Sequence, residues 1–275
     1  MELFDVLEQV RIEAPLVQCI TNFVTVNDCA NILLAAGASP TMAQDIREVE
    51  EAVAGAGGLV CNLGAIDFVD SMILAGKRAN ELGIPVVLDP VAAGGTALRR
   101  ELSAKLLEAV HFAAIRGNAS EIRALAGQMS RGSGVDVCAA DTMTEENLVQ
   151  SAALVRQLAG DLHAVIAVSG KLDIVSDGTK TAILRNGCAT MARITGSGCM
   201  LTALIGAFCA AAPEHPFDAT CAAMAAMGIC GEIAEEKRLQ NKTGNATFRT
   251  DLIDAVFNLT EQKLKERIHY EIYKG

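Results

Sequence analysis

Three small residues, Gly196, Ser197 and Gly198, stand directly before Cys199 and an apolar run that continues to Phe208. The run predicts a helix, and the first turn of a helix carries backbone N–H groups that have no acceptor within it. The positive end of the helix dipole lies at the same point, so such a turn can bind phosphate or the charge that develops when phosphate is transferred. The Cys199 thiol would be the side chain nearest that charge. The alternative is a tight turn that starts a helix and is followed by a small core cysteine.

Polar residues also stand directly after each of five predicted strands. In an open parallel sheet, ligands bind beyond the carboxyl ends of the strands, so these residues are expected at one edge. They are Thr21-Asn22, Asn62-Leu63-Gly64, Asp89-Pro90, Arg116-Gly117-Asn118 and Ser169-Gly170. An arginine at a strand end can reach phosphates with a fork geometry that lysine lacks, although a structural ion pair is the alternative for Arg116.

Two acidic residues near this edge have structural alternatives. Asp89 precedes Pro90 and could be only a turn former. Glu121 follows Asn118 by three residues, the spacing of a helix cap in which each side chain bonds to the other residue's backbone. Beside a second acid at the carboxyl edge of a sheet, Asp89 is expected to assist with a metal ion or with phosphates.

Short apolar runs alternate with segments of helical spacing through the first two thirds of the chain. Nearly continuous hydrophobicity predicts strands buried on both faces of a parallel sheet, and the alternation predicts an α/β fold with helices on both faces. The predicted strands are 16–20, 58–62, 85–89, 111–115 and 164–168, and the predicted helices are 26–36, 46–56, 68–82, 98–110 and 118–126.

The later part of the chain has a different pattern. Two short apolar runs flank the turn 176–179, which predicts a hairpin that adds antiparallel strands to the edge of the sheet. The rest is predicted as three helices, 199–212, 217–237 and 248–267, and the Gly/Ser-rich stretch 129–135 as a loop. No linker or repeat interrupts the chain, so a single domain over 1–275 is expected.

The composition and the distribution of charged, apolar and cysteine residues argue against several classes of protein. The net charge of −10 disfavours a nucleic-acid partner. No run approaches the roughly 18 uninterrupted apolar residues of a membrane span, and the acidic N-terminus is unlike a signal peptide, so a cytoplasmic protein is expected. Nine cysteines without Cys-x-x-Cys spacing, and four scattered histidines, disfavour both a disulfide framework and a zinc site. Cysteines in apolar segments are expected in the core, namely Cys19, Cys61, Cys209, Cys221 and Cys230.

The motifs in order resemble a known family. The chain has no Walker-type phosphate loop and no dinucleotide-binding glycine motif after the first strand. A phosphate loop placed late, before a C-terminal helix, resembles the ribokinase-like fold. In detail, the chain resembles the hydroxyethylthiazole kinase family across roughly residues 15–260. The matching segments are 19–27, 30–31, 37–42, 62–64, 88–91, 116–118 with Glu121, and 195–199.

The resemblance implies transfer of the ATP γ-phosphate to the hydroxyl of 4-methyl-5-(2-hydroxyethyl)thiazole, with Mg²⁺, in thiamine salvage. It also implies a homotrimer that binds the thiazole between two subunits. Gly196, Ser197 and Gly198 would receive the migrating phosphoryl group. Cys199 would lie beside the acceptor hydroxyl and, if the helix N-terminus favoured its thiolate, could take the hydroxyl proton. A loose transition state does not require a strong base.

The same resemblance assigns further site residues. Substrate contacts are implied at Met42, Asn22, Gly64 and Gly196, nucleotide contacts at Arg116, Ser169 and Asn118, and magnesium binding at Glu121 and Asp89. Ser169 departs from the family pattern, which usually has threonine at this nucleotide contact. The alternatives are a kinase for another small alcohol such as hydroxymethylpyrimidine, a dehydratase of hydrated nicotinamide nucleotides, and a binding protein without turnover. The two enzyme alternatives are expected to carry Asp at position 199.

Overall fold

The computed structural model describes residues 3–129 and 143–274. The strands are β1 (Leu16–Ile20), β2 (Ser39–Thr41), β3 (Gly58–Asn62), β4 (Val86–Asp89), β5 (Ala114–Asn118), β6 (Val165–Ser169), β7 (Asp173–Ser176), β8 (Thr181–Leu184) and β9 (Tyr270–Ile272). The helices are α1 (Asp5–Glu13), α2 (Val26–Ala36), α3 (Val49–Ala54), α4 (Val69–Leu82), α5 (Ala97–Ala109), α6 (Ala119–Met129), α7 (Leu148–Leu162), α8 (Ser197–Ala211), α9 (Pro216–Asn241), α10 (Asn245–Phe257) and α11 (Glu261–Arg267).

In the described part of the chain, nine strands form one sheet in the order β2-β1-β3-β4-β5-β6-β7-β8-β9. The pairings from β2 to β6 are parallel, and those from β6 to β9 are antiparallel. The predicted hairpin is therefore confirmed as β7 and β8. Because parallel strands end at the same edge, the residues that follow β1, β3, β4 and β6 meet there.

Helices cover both faces of the sheet, and each face has its own apolar core. Successive residues of β3 alternate between the two, so that Val60 packs on the side of α8 while Leu59 and Cys61 pack on the side of α4. This two-sided burial explains why the strands are apolar at almost every position. The α/β prediction is confirmed, and the five cysteines expected in the core are all buried.

Helix α8 lies against the centre of the sheet. A Cβ on Gly206 would stand 2.4 Å from Cγ2 of Val60, so only glycine allows the helix to approach β3 this closely. Helix α9 is the one described helix that is long and apolar enough to cross a membrane, but 83% of its apolar window is buried inside the protein. The apolar side chains of α9 therefore pack in the core of the protein.

Several predicted boundaries were wrong. The fourth strand covers 114–118 rather than 111–115, because the side chain of Asn80 binds the backbone of His111 outside the sheet. The helix predicted over 46–56 is limited to α3, since the Asp45 carboxylate accepts from the amide of Arg47 in a turn before it.

The last predicted helix, 248–267, is two helices, since Thr260 caps α11 through the amide of Lys263. Strands β2 and β9 and helices α1 and α7 were not predicted. Most of the predicted loop 129–135 lies outside the described residues.

Candidate active site

The glycine turn begins α8 two residues earlier than predicted. Gly196 has a left-handed backbone (φ +81°), and a Cβ there would lie 2.7 Å from Cγ2 of Thr25. The first helical hydrogen bond runs from the amide of Met200 to the carbonyl of Gly196 at 2.8 Å. Ser197, Gly198 and Cys199 therefore form the first turn, whose amides have no acceptor within the helix.

The guanidinium of Arg116 lies against this turn. A Cβ on Gly198 would be 2.4 Å from Nη1 of Arg116, so the glycine makes room for the arginine. Arg116 also donates to the hydroxyl of Ser169, and its Nε is buried without a hydrogen-bond partner. It is the third residue of β5 rather than the end of a strand. A guanidinium beside the positive end of a helix is unfavourable unless an anion lies between them, so the pair indicates an anion site.

Asp89 ends β4 beside this arginine and is 1% exposed. Its Oδ2 accepts from Nδ2 of Asn62 at 3.1 Å and from Oγ1 of Thr202 at 2.9 Å, and lies 4.0 Å from Arg116. Its Oδ1 is buried without a partner. Burial raises the pKa of Asp89 to about 6, a change that Arg116 opposes and Glu121 reinforces.

Asn118 and Glu121 form the predicted helix cap. The Asn118 Oδ1 accepts from the amide of Glu121 at 3.0 Å, and the Glu121 Oε2 accepts from the amide of Asn118 at 2.8 Å. The Glu121 Oε1 accepts from the amide of Ala92, two residues after Pro90, at 2.9 Å. The cap therefore also ties α6 to the loop that follows Asp89 and holds the Glu121 carboxylate at the sheet edge.

The two carboxylates suit Mg²⁺. Among the described residues, no group of three or more His, Cys, Asp or Glu could hold a metal ion. Magnesium is commonly held by one or two carboxylates, with water and substrate phosphates as its other ligands. The unpartnered Oδ1 of Asp89, and Glu121 close enough to raise the Asp89 pKa, fit that pattern.

The thiol of Cys199 is partly buried and lies among amide donors. Its Sγ accepts from Nδ2 of Asn62 at 3.2 Å and from Nδ2 of Asn22 at 3.5 Å. Burial raises the pKa of Cys199, and Asp89 raises it further, against the hydrogen bonds from Thr25, Asn62 and Asn22. The thiolate considered from the sequence is therefore not favoured, since desolvation and a neighbouring carboxyl outweigh the helix N-terminus.

The residues implied as substrate contacts lie in two places. Asn22 and Gly64 join the network around Cys199 through Asn62, whose Oδ1 accepts from Nδ2 of Asn22 at 3.2 Å and from the Gly64 amide at 2.8 Å. A Cβ on Gly64 would meet that Oδ1 at 2.7 Å. Met42 follows the edge strand β2 and is half-buried against the core on the α8 side.

A cavity of about 650 Å³ opens beside Arg116, Ser169 and Gly198. This volume is in the range of small-molecule sites. The rest of its lining includes residues that the sequence patterns did not single out, among them Asp173, Cys188, Met191, Met224 and Met227. Met224 and Met227 lie on α9 and are spaced like any other core methionines, so the sequence carried no signal for them. Burial raises the pKa of Asp173 to about 7, against Gly170 and Arg116.

Comparison with known proteins identifies the family. A model of the hydroxyethylthiazole kinase family matches residues 7–262. The chain belongs to this family. Hydroxyethylthiazole kinase of Clostridium acetobutylicum is 46% identical over 269 residues, which cover 97% of this chain and 98% of that protein. The corresponding protein of Desulfovibrio desulfuricans is 47% identical over 261 residues, with 92% of each chain covered.

Solved structures agree with the hydroxyethylthiazole kinase assignment. The hydroxyethylthiazole kinase protein from Pyrococcus horikoshii OT3 has a TM-score of 0.86 and 35% identity, with 99% of both chains covered. An ADP complex of Bacillus subtilis pyridoxal kinase has a TM-score of 0.58 and 19% identity, and covers 78% of this chain and 90% of that one. The second likeness concerns the fold alone. The ribokinase-like fold prediction is confirmed.

Proposed function

We propose that this chain transfers the γ-phosphoryl group of ATP to the hydroxyl of 4-methyl-5-(2-hydroxyethyl)thiazole, acting as a single domain in cytoplasmic thiamine salvage. One observation carries the proposal: the Arg116 guanidinium and the amide end of α8 meet with no space for a side chain on Gly198. Two positive groups side by side favour an anion that contacts both, and a migrating phosphoryl group is such an anion. Membership of the family gives the acceptor alcohol.

The nucleotide binds in the cavity beside Arg116. Its terminal phosphate reaches the amides of Gly196, Ser197 and Gly198, and Arg116 and Ser169 hold the phosphate chain from the opposite side. Asn118 contributes a polar contact from the end of β5. Phosphoryl transfer depends on positioning and on neutralised charge, and fixed amides supply both without reorganisation.

Asp89 and Glu121 hold Mg²⁺ at the carboxyl edge of the sheet. When bound, Mg²⁺ neutralises charge on the β- and γ-phosphates. The Oδ1 of Asp89 has no competing hydrogen bond, and the Asn118 cap keeps the Glu121 carboxylate in place.

The thiazole alcohol lies with its hydroxyl beside Cys199, and Met42, Asn22, Gly64 and Gly196 surround it. The soft thioether of Met42 suits a flat sulfur heterocycle. Cys199 stays protonated at neutral pH because burial and Asp89 raise its pKa. It therefore positions the acceptor hydroxyl, whose proton leaves late in a loose transition state.

The active form is a homotrimer with the thiazole site between two subunits. Large apolar side chains are exposed close to the substrate residues, notably Phe23 at 89% and Ile46 at 50%. Phe23 follows Asn22 directly, and Ile46 lies four residues after Met42. Exposed apolar groups next to a site are typical of a surface that a second subunit covers.

The test incubates the purified protein with ATP, magnesium and the thiazole alcohol, and follows ADP and thiazole phosphate by mass spectrometry. Hydroxymethylpyrimidine and hydrated NADH serve as comparison substrates, and light scattering gives the mass of the assembly. Formation of thiazole phosphate in preference to the other products supports the proposal. Turnover of only a comparison substrate, or none with any magnesium concentration, contradicts it.

A further inference from the structure

Asn62, the last residue of β3, lies at the centre of the site and is 1% exposed. Its Nδ2 donates to Oδ2 of Asp89 at 3.1 Å and to Sγ of Cys199 at 3.2 Å. Its Oδ1 accepts from the amide of Gly64 at 2.8 Å and from Nδ2 of Asn22 at 3.2 Å. The Asn62 side chain thus links the Asp89 carboxyl to the Cys199 thiol.

The orientation of this amide group is fixed by its neighbours. A backbone N–H can only donate, so the Gly64 amide requires the oxygen of Asn62 on its side. Both hydrogens of Nδ2 then point away from Gly64, one towards Asp89 and one towards Cys199. The hydrogen-bond directions therefore follow from the geometry.

The same holds for Asn22. Its Oδ1 accepts from the backbone amides of Val24 at 3.1 Å and Thr25 at 3.2 Å, which leaves its Nδ2 to donate to Asn62 and Cys199. The sulfur accordingly accepts from two amide groups. The backbone after β1 thus donates to Asn22, and Asn22 donates to Asn62 and Cys199. Asn62 in turn donates to Asp89 and Cys199.

We propose that Asn62 is a positioning residue for phosphoryl transfer, which holds the Asp89 carboxyl and the Cys199 thiol as one hydrogen-bonded unit. This rests on the function proposed above. Because Asn62 and Thr202 both bind Oδ2 of Asp89, the carboxyl is held with Oδ1 unpartnered. The bond to Sγ places the acceptor hydroxyl at a constant distance from that carboxyl.

Charged and titratable groups face this unit from several elements: Arg116 on β5, Glu121 on α6, and Cys29 on α2. None of them changes when Asn62 is replaced. The Asn62 hydrogen bonds lower the pKa of both Asp89 and Cys199. Loss of the bond to Sγ therefore raises the pKa of Cys199.

The test compares the full chain with Asn62→Leu, which has nearly the same shape and no hydrogen-bonding group. Iodoacetamide labelling across pH is followed for Cys199, with the partly exposed Cys188 as internal reference. Loss of the Asn62 hydrogen bond raises the Cys199 pKa and so slows Cys199 labelling several-fold at a given pH, while Cys188 is unchanged. In turnover, kcat falls about tenfold or more, while KM for ATP changes less than about threefold.

Two further variants complete the test. Asn62→Asp keeps the acceptor for the Gly64 amide and replaces the donor with a second oxygen, so it loses the bonds to Asp89 and Cys199 without leaving the Gly64 amide unpaired, and Cys199 labelling again slows. Ser176→Ala is the matched control, because Ser176 is a fully buried polar residue with hydrogen bonds to Lys180 and Thr181 at the far end of β7. It lowers the melting temperature and leaves Cys199 labelling and kcat unchanged.

Wild-type labelling midpoints of Cys199 and an unchanged kcat in the Asn62 variants, with or without a lower melting temperature, overturn the positioning role. The proposed function fails separately, if the wild-type protein forms no thiazole phosphate. In that event the Cys199 labelling midpoint still decides whether Asn62 controls the thiol.

Discussion

A methyl group on Gly198 would come within 2.4 Å of a guanidinium nitrogen of Arg116. The guanidinium and the first amides of α8 therefore lie side by side, so that one anion can contact both. The contact links a strand residue to a helix terminus from a distant part of the chain, and it gives the first prediction.

Gly198→Ala is expected to lower kcat at least about 100-fold, because the added carbon displaces Arg116 and narrows the anion site. The fold persists, since alanine is favoured over glycine within helices. Gly160→Ala, in α7, is the control because a Cβ there meets nothing within 4 Å. Steady-state kinetics and thermal melting check both variants, and near-normal activity of Gly198→Ala would contradict the placement.

Cys199→Ala is expected to lower kcat about tenfold and to leave the Kd for ATP within about twofold of wild type. The thiol contacts the alcohol side of the site, whereas Arg116 and Ser169 serve the nucleotide. Isothermal titration with ATP and turnover assays separate the two effects. Equal losses of binding and of turnover would instead indicate that Cys199 is structural.

Asp89→Asn is expected to abolish turnover and to stabilise the fold at neutral pH. Because the pKa of Asp89 is about 6 in the folded state and about 3.9 in an unfolded chain, folding favours the protonated carboxyl. That stabilisation is complete below about pH 4 and is lost as pH rises through 6. The unfolding free energy of Asp89→Asn relative to the wild type should therefore increase as pH rises from 4 to 7, by up to about 3 kcal/mol in total.

Urea unfolding of both proteins at several pH values checks this prediction. Asp173, whose pKa is also raised, titrates in both proteins and cancels in the difference. A difference in unfolding free energy that does not change with pH would contradict the assignment of the raised pKa to Asp89.

Arg249→Ala is expected to destabilise the fold by about 1–3 kcal/mol, because it leaves a carboxylate in the interior without its partner. Arg249 donates from Nε to Oδ1 of Asp28 at 2.8 Å and ties α10 to α2. Only 6% of the Asp28 side chain is exposed, against 42% for Arg249.

The control is Arg47→Ala, which breaks a solvent-exposed pair with Asp45 and should leave the free energy of unfolding nearly unchanged. Chemical denaturation measures both. Equal effects of the two substitutions would show that the loss of stability in Arg249→Ala does not arise from the burial of Asp28.

The parts of the fold that the sequence predicted well are those that one local pattern decides. Strands β1 and β3 were placed at their observed ends because an apolar run stops at a polar residue that lies in the site. Strand β2 has only three residues, one of them proline, so it has no such pattern. The segment 248–267 has helical spacing of apolar residues throughout, but the Thr260 side chain caps a new helix within it. This one cap interrupts the helix that the spacing predicts.

For the site, the sequence predicted which residues converge and not how they are coupled. The polar residues after the strands meet at one edge, as parallel strands require. The link between Asn62 and Cys199 joins positions 137 residues apart, and the protonation of the thiol depends on burial, which is a property of the whole fold. Neither this hydrogen bond nor the protonation state of the thiol could be predicted from the spacing of residues along the sequence.

Gly206 lets α8 lie close against β3 and is fixed by contact with Val60. The backbone itself therefore sets the distance between the helix and the sheet at this point, and with it the distance of the amide end from the carboxyl edge of the sheet. Adaptation of this scaffold to a bulkier alcohol would accordingly have to occur in the loops after β1 and β2, while the phosphate-handling end remains a fixed reference point.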